Sequence, residues 1–283
     1  MNTKHWMTSG IMGTALTLSS TLAWGALVAQ QSTSDPTTLI LAGGATLPAT
    51  SITNVTAQPL PANGYAAQYT ATNSSMTFLG AGDTALINPD NGMTMMWVQI
   101  GASWIDNSHP NFLIGQGNNH WNVNSFSLFR DTSDNQMHFR IIADNGAQIN
   151  AQAALPGGLK AGDWLFVAAS WTHYSKEKLN LYLGTDSLTV SDSGNTYFYD
   201  NRLNYEYWPT TAQTTLHLGA SVTGGEPWAA DGSIYNFALY NSRTDTDAAA
   251  VIANAFAAKP IPEPAALGLL TLGAGLAAAR RRR

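Results

Sequence analysis

The sequence contains no cysteine, so neither a disulfide framework nor a thiolate site is possible. Charged residues are also scarce, at 11% of the 283 residues. Residues 30–259 contain eight basic and 17 acidic residues, which gives this part of the chain a formal net charge of about −9. An acidic surface of this kind excludes nucleic acid and anionic membranes as favoured partners.

Several motifs of hydrolases and metal enzymes are also missing. No two histidines after residue 30 have metal-binding spacing such as His-x-x-x-His, and no His-Glu-x-x-His occurs. The chain has no Gly-x-Ser-x-Gly elbow, so a hydrolase triad has no support. We therefore interpret the isolated histidines as structural; they are His109, His120, His138, His173 and His217.

Short apolar segments separated by Gly, Asn, Asp and Pro clusters run from residue 65 to residue 240, and they predict β-strands. Residues 93–100 and 164–171 are almost wholly apolar, which predicts strands buried on both faces. In residues 137–142, His138 and Arg140 alternate with apolar residues, so we expect a half-buried strand with a polar outer face. The other predicted strands are 76–79, 85–87, 112–114, 126–130, 179–183, 216–218 and 234–240. Residues 88–92, Asn-Pro-Asp-Asn-Gly, predict a turn.

After residue 240 the pattern becomes helical. Thr244 is the predicted N-cap, and Val251, Ile252 and Phe256 share one face of a helix predicted over residues 248–258. No crossover helix separates two strands, which disfavours a parallel α/β sheet. Residues 30–63, rich in Ser, Thr, Pro and Ala, are predicted to be a linker with a possible first strand. The pattern favours an all-β sandwich closed by one short C-terminal helix.

Three stretches resemble the laminin-G-like, concanavalin A-like lectin/glucanase domains. In residues 78–100, a Pro-Asp-Asn-Gly turn precedes Met-Thr-Met-Met-Trp-Val. Residues 162–171 read Gly-Asp-Trp-Leu-Phe-Val-Ala-Ala-Ser-Trp, and residues 231–243 read Asp-Gly-Ser-Ile-Tyr-Asn-Phe-Ala-Leu-Tyr-Asn-Ser-Arg. The resemblance implies an all-β fold over residues 64–258, a two-sheet antiparallel jelly-roll sandwich with a short C-terminal helix.

Glycosidases of this fold carry a Glu-x-Asp-x-x-Glu-type strand, in which alternate residues place two carboxyl groups on one face. Residues 64–258 contain three glutamates, and none is followed two residues later by Asp; they are Glu177, Glu206 and Glu226. We therefore predict that the protein is not an enzyme. The alternative is a divergent glycan hydrolase or lyase that uses a noncanonical pair of Asp carboxylates.

Calcium is the best metal candidate, because Asp-rich loops supply the oxygen ligands that it prefers. The predicted ligands are Asp83 and Asp231. The alternative is that these residues only form turns. The sequence also departs from the family at Leu79 and at Tyr235-Asn236, where the family has acidic residues.

Residues 197–208 carry six aromatic side chains interleaved with Asp, Asn, Arg and Glu. Aromatic faces stack on sugar rings, and the polar groups hydrogen-bond hydroxyls. The stretch lies in a long connection between strands, where functional loops are common. It is either a loop held to the sandwich by its own rings or a polysaccharide-binding platform. The predicted ligand-binding residues are Tyr197, Tyr199, Arg202, Tyr205, Tyr207, Trp208 and Trp228.

Both ends of the sequence have the features of export signals. Residues 1–29 have a modestly positive start, an apolar helical segment and the small residues Ala23, Gly25 and Ala29, as a secretory signal peptide does. Residues 260–264 are proline-rich and extended, and the apolar run 265–279 is shorter than the roughly 20 residues of a spanning helix. Terminal arginines hold such a run on the cytoplasmic side. The alternative for this end is a frayed Ala-rich helix.

The tail, residues 260–283, resembles the PEP-CTERM sorting signal of Gram-negative bacteria. A Pro-Glu-Pro segment, an apolar run and a terminal arginine cluster follow one another in the order found in that family. The predicted sorting residues are those of the first and third parts: Pro262, Glu263, Pro264, Arg280, Arg281, Arg282 and Arg283. The resemblance implies recognition by exosortase, a membrane cysteine protease, with cleavage near residues 262–264. It also implies transient contact with the secretion machinery, an inner-membrane intermediate held by the apolar helix, and delivery to the cell surface or extracellular matrix.

These observations predict an exported, non-catalytic surface or matrix protein whose sandwich binds polysaccharide or another matrix component. A purely structural matrix protein without a specific ligand is a further alternative.

Overall fold

The computed structural model describes residues 27–60, 64–79, 86–87, 91–116, 125–142, 148–172, 178–192, 215–220, 228–240 and 245–260. Within these ranges the chain forms seventeen strands and two helices. The elements are β1 (Leu27–Gln31), β2 (Thr38–Leu41), β3 (Thr46–Pro48), β4 (Ser51–Thr53), β5 (Val55–Leu60), β6 (Gly64–Tyr69), β7 (Ser75–Leu79), β8 (Asn91–Ile100), α1 (Ser103–Asp106), β9 (Asn111–Gln116), β10 (Ser125–Arg130), β11 (Gln136–Ile142), β12 (Gln148–Ala154), β13 (Trp164–Thr172), β14 (Lys178–Gly184), β15 (Leu188–Asp192), β16 (Thr215–Leu218), β17 (Gly232–Tyr240) and α2 (Asp245–Ala257).

The strands form two antiparallel sheets. Sheet A has ten strands, in the order β15-β14-β13-β8-β17-β1-β2-β3, with the β5–β6 hairpin joined to β17 through β6. Sheet B has seven strands, in the order β12-β11-β10-β9-β16-β7-β4. The prediction of an all-β two-sheet antiparallel sandwich with a short C-terminal helix is therefore confirmed.

The main core lies between the two sheets. Alternate residues of facing strands point into it, as the two-residue period of a β-strand requires. Three aromatic side chains pack at its centre: Phe126 lies 4.8 Å from Phe139 and 4.7 Å from Trp171, with the rings edge to face. This geometry adds aromatic pairing energy to the burial of large apolar surfaces.

A second apolar cluster covers the other face of sheet A and lies under α2. Phe256 of α2 stacks on Trp97 at 5.6 Å between ring centroids, and Trp97 Nε1 donates a hydrogen bond to the carbonyl of Ala255 at 3.2 Å. Ile252 is fully buried, and Val251 packs against the same cluster. The predicted apolar helix face is therefore correct. It also explains why β8 and β13 are buried on both faces, since α2 covers the side that the core does not.

Three local predictions differ from the structure. Asn91 and Gly92 belong to strand β8 instead of a turn. A side chain at Gly92 would collide with the ring of Trp171, so this glycine makes room for a core tryptophan. Residues 86–87 are not in a strand. Strand β11 is buried at Arg140 as well as at its inward positions, so it is not half-exposed as predicted.

The first part of the chain is the largest difference. Five strands, β1 to β5, occupy residues 27–60, where the sequence predicts a linker and a possible first strand. Three of these strands, β3, β4 and β5, are largely exposed, which leaves them without the apolar pattern that marks a buried strand. Strand β1 begins at Leu27, ahead of the predicted boundary at residue 29.

Both predicted export signals lie mainly outside the described residues, namely 1–26 and 261–283. In the part of the chain that the structure describes, no helix is long and apolar enough to cross a membrane.

Candidate functional site

One register line of six polar residues and one glycine crosses all seven strands of sheet B on the face opposite the core. Each member lies directly across from the next in the antiparallel pairing. Neighbouring strands are about 4.8 Å apart, so the line is roughly 29 Å long. We call it the polar row; in strand order it consists of Asn150, Arg140, Ser127, Gly115, His217, Thr77 and Ser51.

A line of stacked rings runs beside the polar row, and we call it the aromatic row: Trp228, Phe112, Phe129 and His138. The Trp228 and Phe112 rings are 6.1 Å apart and the Phe112 and Phe129 rings 4.8 Å apart, with planes inclined by 14° and 11°. The imidazole of His138 continues the stack at 5.3 Å from Phe129. Phe112, Phe129 and His138 are directly opposed on strands β9, β10 and β11, which explains why their rings meet.

The middle of this surface is buried and its margin is accessible. Ser127 and His217 of the polar row are fully or almost fully buried, at 0% and 1% exposure. At the margin, Trp228 is half-buried, while Asp134 and Gln152 are exposed. The buried part therefore positions the residues that a large ligand can reach.

His138 is held by hydrogen bonds at both ring nitrogens. Its Nε2 lies 2.9 Å from the Asp134 carboxylate, and its Nδ1 lies 2.8 Å from the side-chain amide nitrogen of Asn150. Because the Asn150 amide donates to Nδ1, the ring proton is on Nε2 and points to Asp134. Asn150 also donates to the side-chain oxygen of Gln152, at 3.1 Å. Imidazole, carboxylate and amides thus form one connected group at the margin, which we call the polar margin.

Arg140 connects the two rows. Its guanidinium lies 4.7 Å from the centre of the Phe129 ring, in cation–π geometry. Burial lowers the pKa of Arg140 to about 10, while the charge of Asp131 acts in the opposite direction. The side chain stays protonated at neutral pH and places a positive charge within an otherwise uncharged stretch of the polar row.

His217 has a different environment. Its Nδ1 lies 3.1 Å from the hydroxyl of Thr77, its neighbour in the polar row. Burial lowers the pKa of His217 to about 4, so the imidazole is neutral at neutral pH. Within the described part of the chain, Ser127 Oγ and Asn150 Oδ1 are buried without a hydrogen-bond partner.

Of the predicted ligand-binding residues, the structure describes Trp228, which lies at one end of the aromatic row. The other six lie outside the described residues: Tyr197, Tyr199, Arg202, Tyr205, Tyr207 and Trp208. The predicted sorting residues, 262–264 and 280–283, also lie outside them. Those assignments stay predictions.

The predicted metal ligand Asp231 has a structural role at one end of the sandwich. One of its carboxylate oxygens, Oδ2, accepts hydrogen bonds from the backbone N–H and the hydroxyl of Ser103. The other predicted ligand, Asp83, lies outside the described residues. Among the residues that the structure describes, no group of three or more His, Asp or Glu side chains could hold a metal ion.

A buried arginine organises the same end of the molecule. Arg130 is completely buried, and its guanidinium donates to five oxygen atoms drawn from α1, the segment after it, β9 and the β10–β11 turn. Burial lowers the pKa of Arg130, and the nearby carboxylates of Asp106 and Asp131 oppose this effect. The acceptors are the carbonyls of Ser103 and His109 and the side-chain oxygens of Asn107, Asn111 and Asn135.

The sequence did not identify the two rows as a site. His138 and Arg140 were predicted to face outward, but as isolated polar positions. The signal that could have found them is the presence of polar residues at one register on six of the seven strands. That register depends on pairings between distant segments of the chain.

No family model matches the sequence, and no curated protein matches it. Solved structures do match the fold. The receptor-binding domain of botulinum neurotoxin D aligns with a TM-score of 0.54 and 11% identity over 81% of this chain and 52% of that chain. The binding domain of botulinum neurotoxin DC in complex with SialylT aligns with a TM-score of 0.53 and 13% identity, over 82% of this chain and 51% of that one.

The same binding domain in complex with rat synaptotagmin II gives a TM-score of 0.53 and 11% identity. This chain spans about half the length of the domains that it matches. At such low identity the likeness concerns the fold. The chain is a two-sheet β-sandwich similar in fold to the receptor-binding domains of botulinum neurotoxins.

Proposed function

We propose that the protein is an exported, non-catalytic surface or matrix protein that binds polysaccharide at the margin of the outer face of sheet B. The observation that carries this proposal is the aromatic row, which links half-buried Trp228 to the polar margin at His138. Binding sites for sugars combine aromatic rings with a few fixed polar groups. Phe112 and Phe129 are buried, so Trp228 is the ring of the row that a sugar can contact, and the polar margin supplies the fixed polar groups.

The chemistry of the polar margin suits hydroxyl groups. Asp134 accepts hydrogen bonds, and the exposed amide of Gln152 can donate and accept them. Their mutual contacts hold these side chains in place, so little conformational entropy is lost when a ligand binds. The binding domain of botulinum neurotoxin DC, of which this chain matches 51%, was solved in complex with SialylT, and this supports a sugar as the class of ligand.

A glycan array on the full chain tests the proposal, with Trp228→Ala as the site variant. We expect the wild type to bind one or more glycans and Trp228→Ala to bind at least ten times more weakly. Tyr65→Ala is the matched control, because Tyr65 is a 41%-exposed aromatic residue on sheet A. Absence of glycan binding by the wild type, or equal loss in the two variants, would contradict the proposal. Depolymerisation of a bound glycan would contradict the proposal that the protein is non-catalytic.

The aromatic stretch 197–208 is proposed as a second contact surface for the same ligand. A double variant, Tyr205→Ala with Trp208→Ala, is expected to weaken binding to the glycans that the wild type selects. Unchanged binding would mean that this stretch is only a loop held by its own rings.

Export and sorting are proposed from residues 1–29 and 260–283. The Pro-Glu-Pro segment, the apolar run and the terminal arginines support recognition by exosortase in a Gram-negative cell. Mass spectrometry of the surface fraction tests this: we expect the mature chain to lack residues beyond about 264 when exosortase is present. In a strain without exosortase, or with Glu263→Ala, the uncleaved chain should remain in the inner membrane. Surface delivery of an uncut chain would contradict the sorting proposal.

A further inference from the structure

Strand β1 is an interior strand of sheet A, and it starts within the segment predicted to be removed on export. Leu27, Ala29 and Gln30 pair with β17 on one side, at Tyr240 and the two residues before it. On the other side Ala29, Gln30 and Gln31 pair with β2. Strands β2 and β3 reach the rest of the sheet only through β1.

The side chains of β1 are part of both apolar clusters. Ala29 is fully buried between the sheets, and Val28 packs against the same core. Leu27 packs against the cluster under α2. The carbonyl of Val28 also accepts a hydrogen bond from the backbone N–H of Ala42, at 3.0 Å. A cut after Ala29 would remove all of these contacts and leave two residues of β1.

The sequence before β1 offers better places for cleavage. Signal peptides are cut after a motif with small residues at the first and third positions before the bond. For a cut after Ala29, the third position is Leu27, which is large. For a cut after Gly25 the two positions are Gly25 and Ala23, and both are small. A cut after Ala23 would place the β-branched Thr21 at the third position.

The positions of the small residues and the contacts of strand β1 favour the same cleavage site. We infer that the signal peptide is removed by hydrolysis of the Gly25–Ala26 peptide bond, so that the mature chain begins one residue before β1. Water is consumed, the new carboxylate stays on Gly25 with the released peptide, and the new α-amino group is on Ala26. This inference rests on the proposed export of the protein.

The test is to express the full chain with its own leader in a Gram-negative host and to determine the N-terminus of the exported protein by intact mass and N-terminal sequencing. A chain that begins at Ala26 supports the inference. A chain that begins at Gln30 or Trp24 overturns it while leaving export intact. A chain that keeps residues 1–25 and remains in the cytoplasm contradicts the export proposal itself.

A pair of variants in the leader separates recognition from folding. Ala23→Leu puts a large residue at the third position before the bond, and we expect the precursor, longer by residues 1–25, to accumulate at least tenfold. Ala15→Leu makes the same change within the apolar segment, and we expect normal processing. Neither residue belongs to the described sandwich, so a folding defect would not explain a difference. Unimpaired cleavage of Ala23→Leu would overturn the inference.

Discussion

The backbone N–H and the hydroxyl of Ser103 both donate to Oδ2 of Asp231, at 2.8 and 2.5 Å. The backbone of Asp231 has a positive φ of 45°, a conformation that Asn adopts as readily as Asp. Asp231→Asn therefore keeps the backbone and removes the charge. We expect it to lower the free energy of unfolding by about 1–3 kcal/mol, because hydrogen bonds to a charged acceptor are the stronger ones. Urea denaturation measures the free energy of unfolding. Ser103→Ala removes one of the same hydrogen bonds, so in the double variant its loss of stability should not add fully to that of Asp231→Asn.

Calcium provides a direct check on the role of Asp231. Two hydrogen bonds from Ser103 already occupy Oδ2 of this carboxylate, so we expect excess Ca²⁺ or EDTA to leave the melting temperature unchanged. A ligand that binds only the folded state would raise the melting temperature by mass action. A melting temperature that rises with the calcium concentration in the wild type but not in Asp231→Asn would support the prediction that Asp231 binds calcium.

Arg130 is expected to be one of the most sensitive positions in the molecule. Arg130→Met removes the donor of five oxygen atoms, of which those of Ser103, His109 and Asn111 are on buried or half-buried residues. We expect it to cost about 3–5 kcal/mol of stability, because each buried acceptor left unpaired costs about 1–3 kcal/mol. Arg130→Lys keeps the charge but cannot reach all five acceptors, so an intermediate loss is expected. Chemical denaturation compares the two. Equal stability of Arg130→Met and the wild type would show that the network is not stabilising.

His217 makes stability depend on pH. Its pKa is about 4 in the folded protein and about 6.5 in the unfolded chain, so the unfolded state binds more protons between these values. The free energy of unfolding should therefore fall as the pH is lowered from about 6.5 to about 4, by roughly 3 kcal/mol from this residue. Urea denaturation from pH 7 to pH 4 of the wild type and His217→Gln isolates the effect. Parallel pH profiles would contradict it.

Phe256 should account for much of the attachment of α2. Its ring stacks on Trp97 and lies edge to face against Phe166, at 5.6 and 5.5 Å. Because the side chain is only half-buried, we expect Phe256→Ala to cost about 2 kcal/mol, less than a fully buried Phe. Asn254→Ala, on the exposed side of the same helix, is the control and should change stability by less than about 0.5 kcal/mol.

The central strands could be predicted because they carry the strongest apolar patterns. Strands β8 and β13 read as apolar runs, and α2 has an apolar face. Strands β3 to β5 lie at the edges of the sheets and are mostly exposed, so nothing in their composition distinguishes them from a linker. The prediction failed where burial, and with it the sequence signal, is weak.

The candidate site could be predicted only in part, since it depends on register. Trp228 was among the predicted ligand-binding residues, but its neighbours in the aromatic row come from three strands that are not consecutive with it. Ser127 and His217 face each other across Gly115 through pairings of β10 with β9 and β9 with β16. No local pattern carries that information, because a shift of one residue would turn each side chain to the other face.

Strand β17 has a consequence for the order of assembly. On one side it pairs with β8. On the other side its residues 232–234 pair with β6 and its residues 238–240 pair with β1. Strand β1 therefore finds this neighbour only when residues 232–240 have arrived, about 200 residues further along the chain. A polypeptide that crosses a membrane with its N-terminus first cannot close sheet A until nearly all of it has passed, and such distant pairing is intrinsically slow. Pulse-labelling hydrogen exchange should find β1 and β17 protected at the same time; under the proposed export, this delay would keep the chain unfolded during translocation.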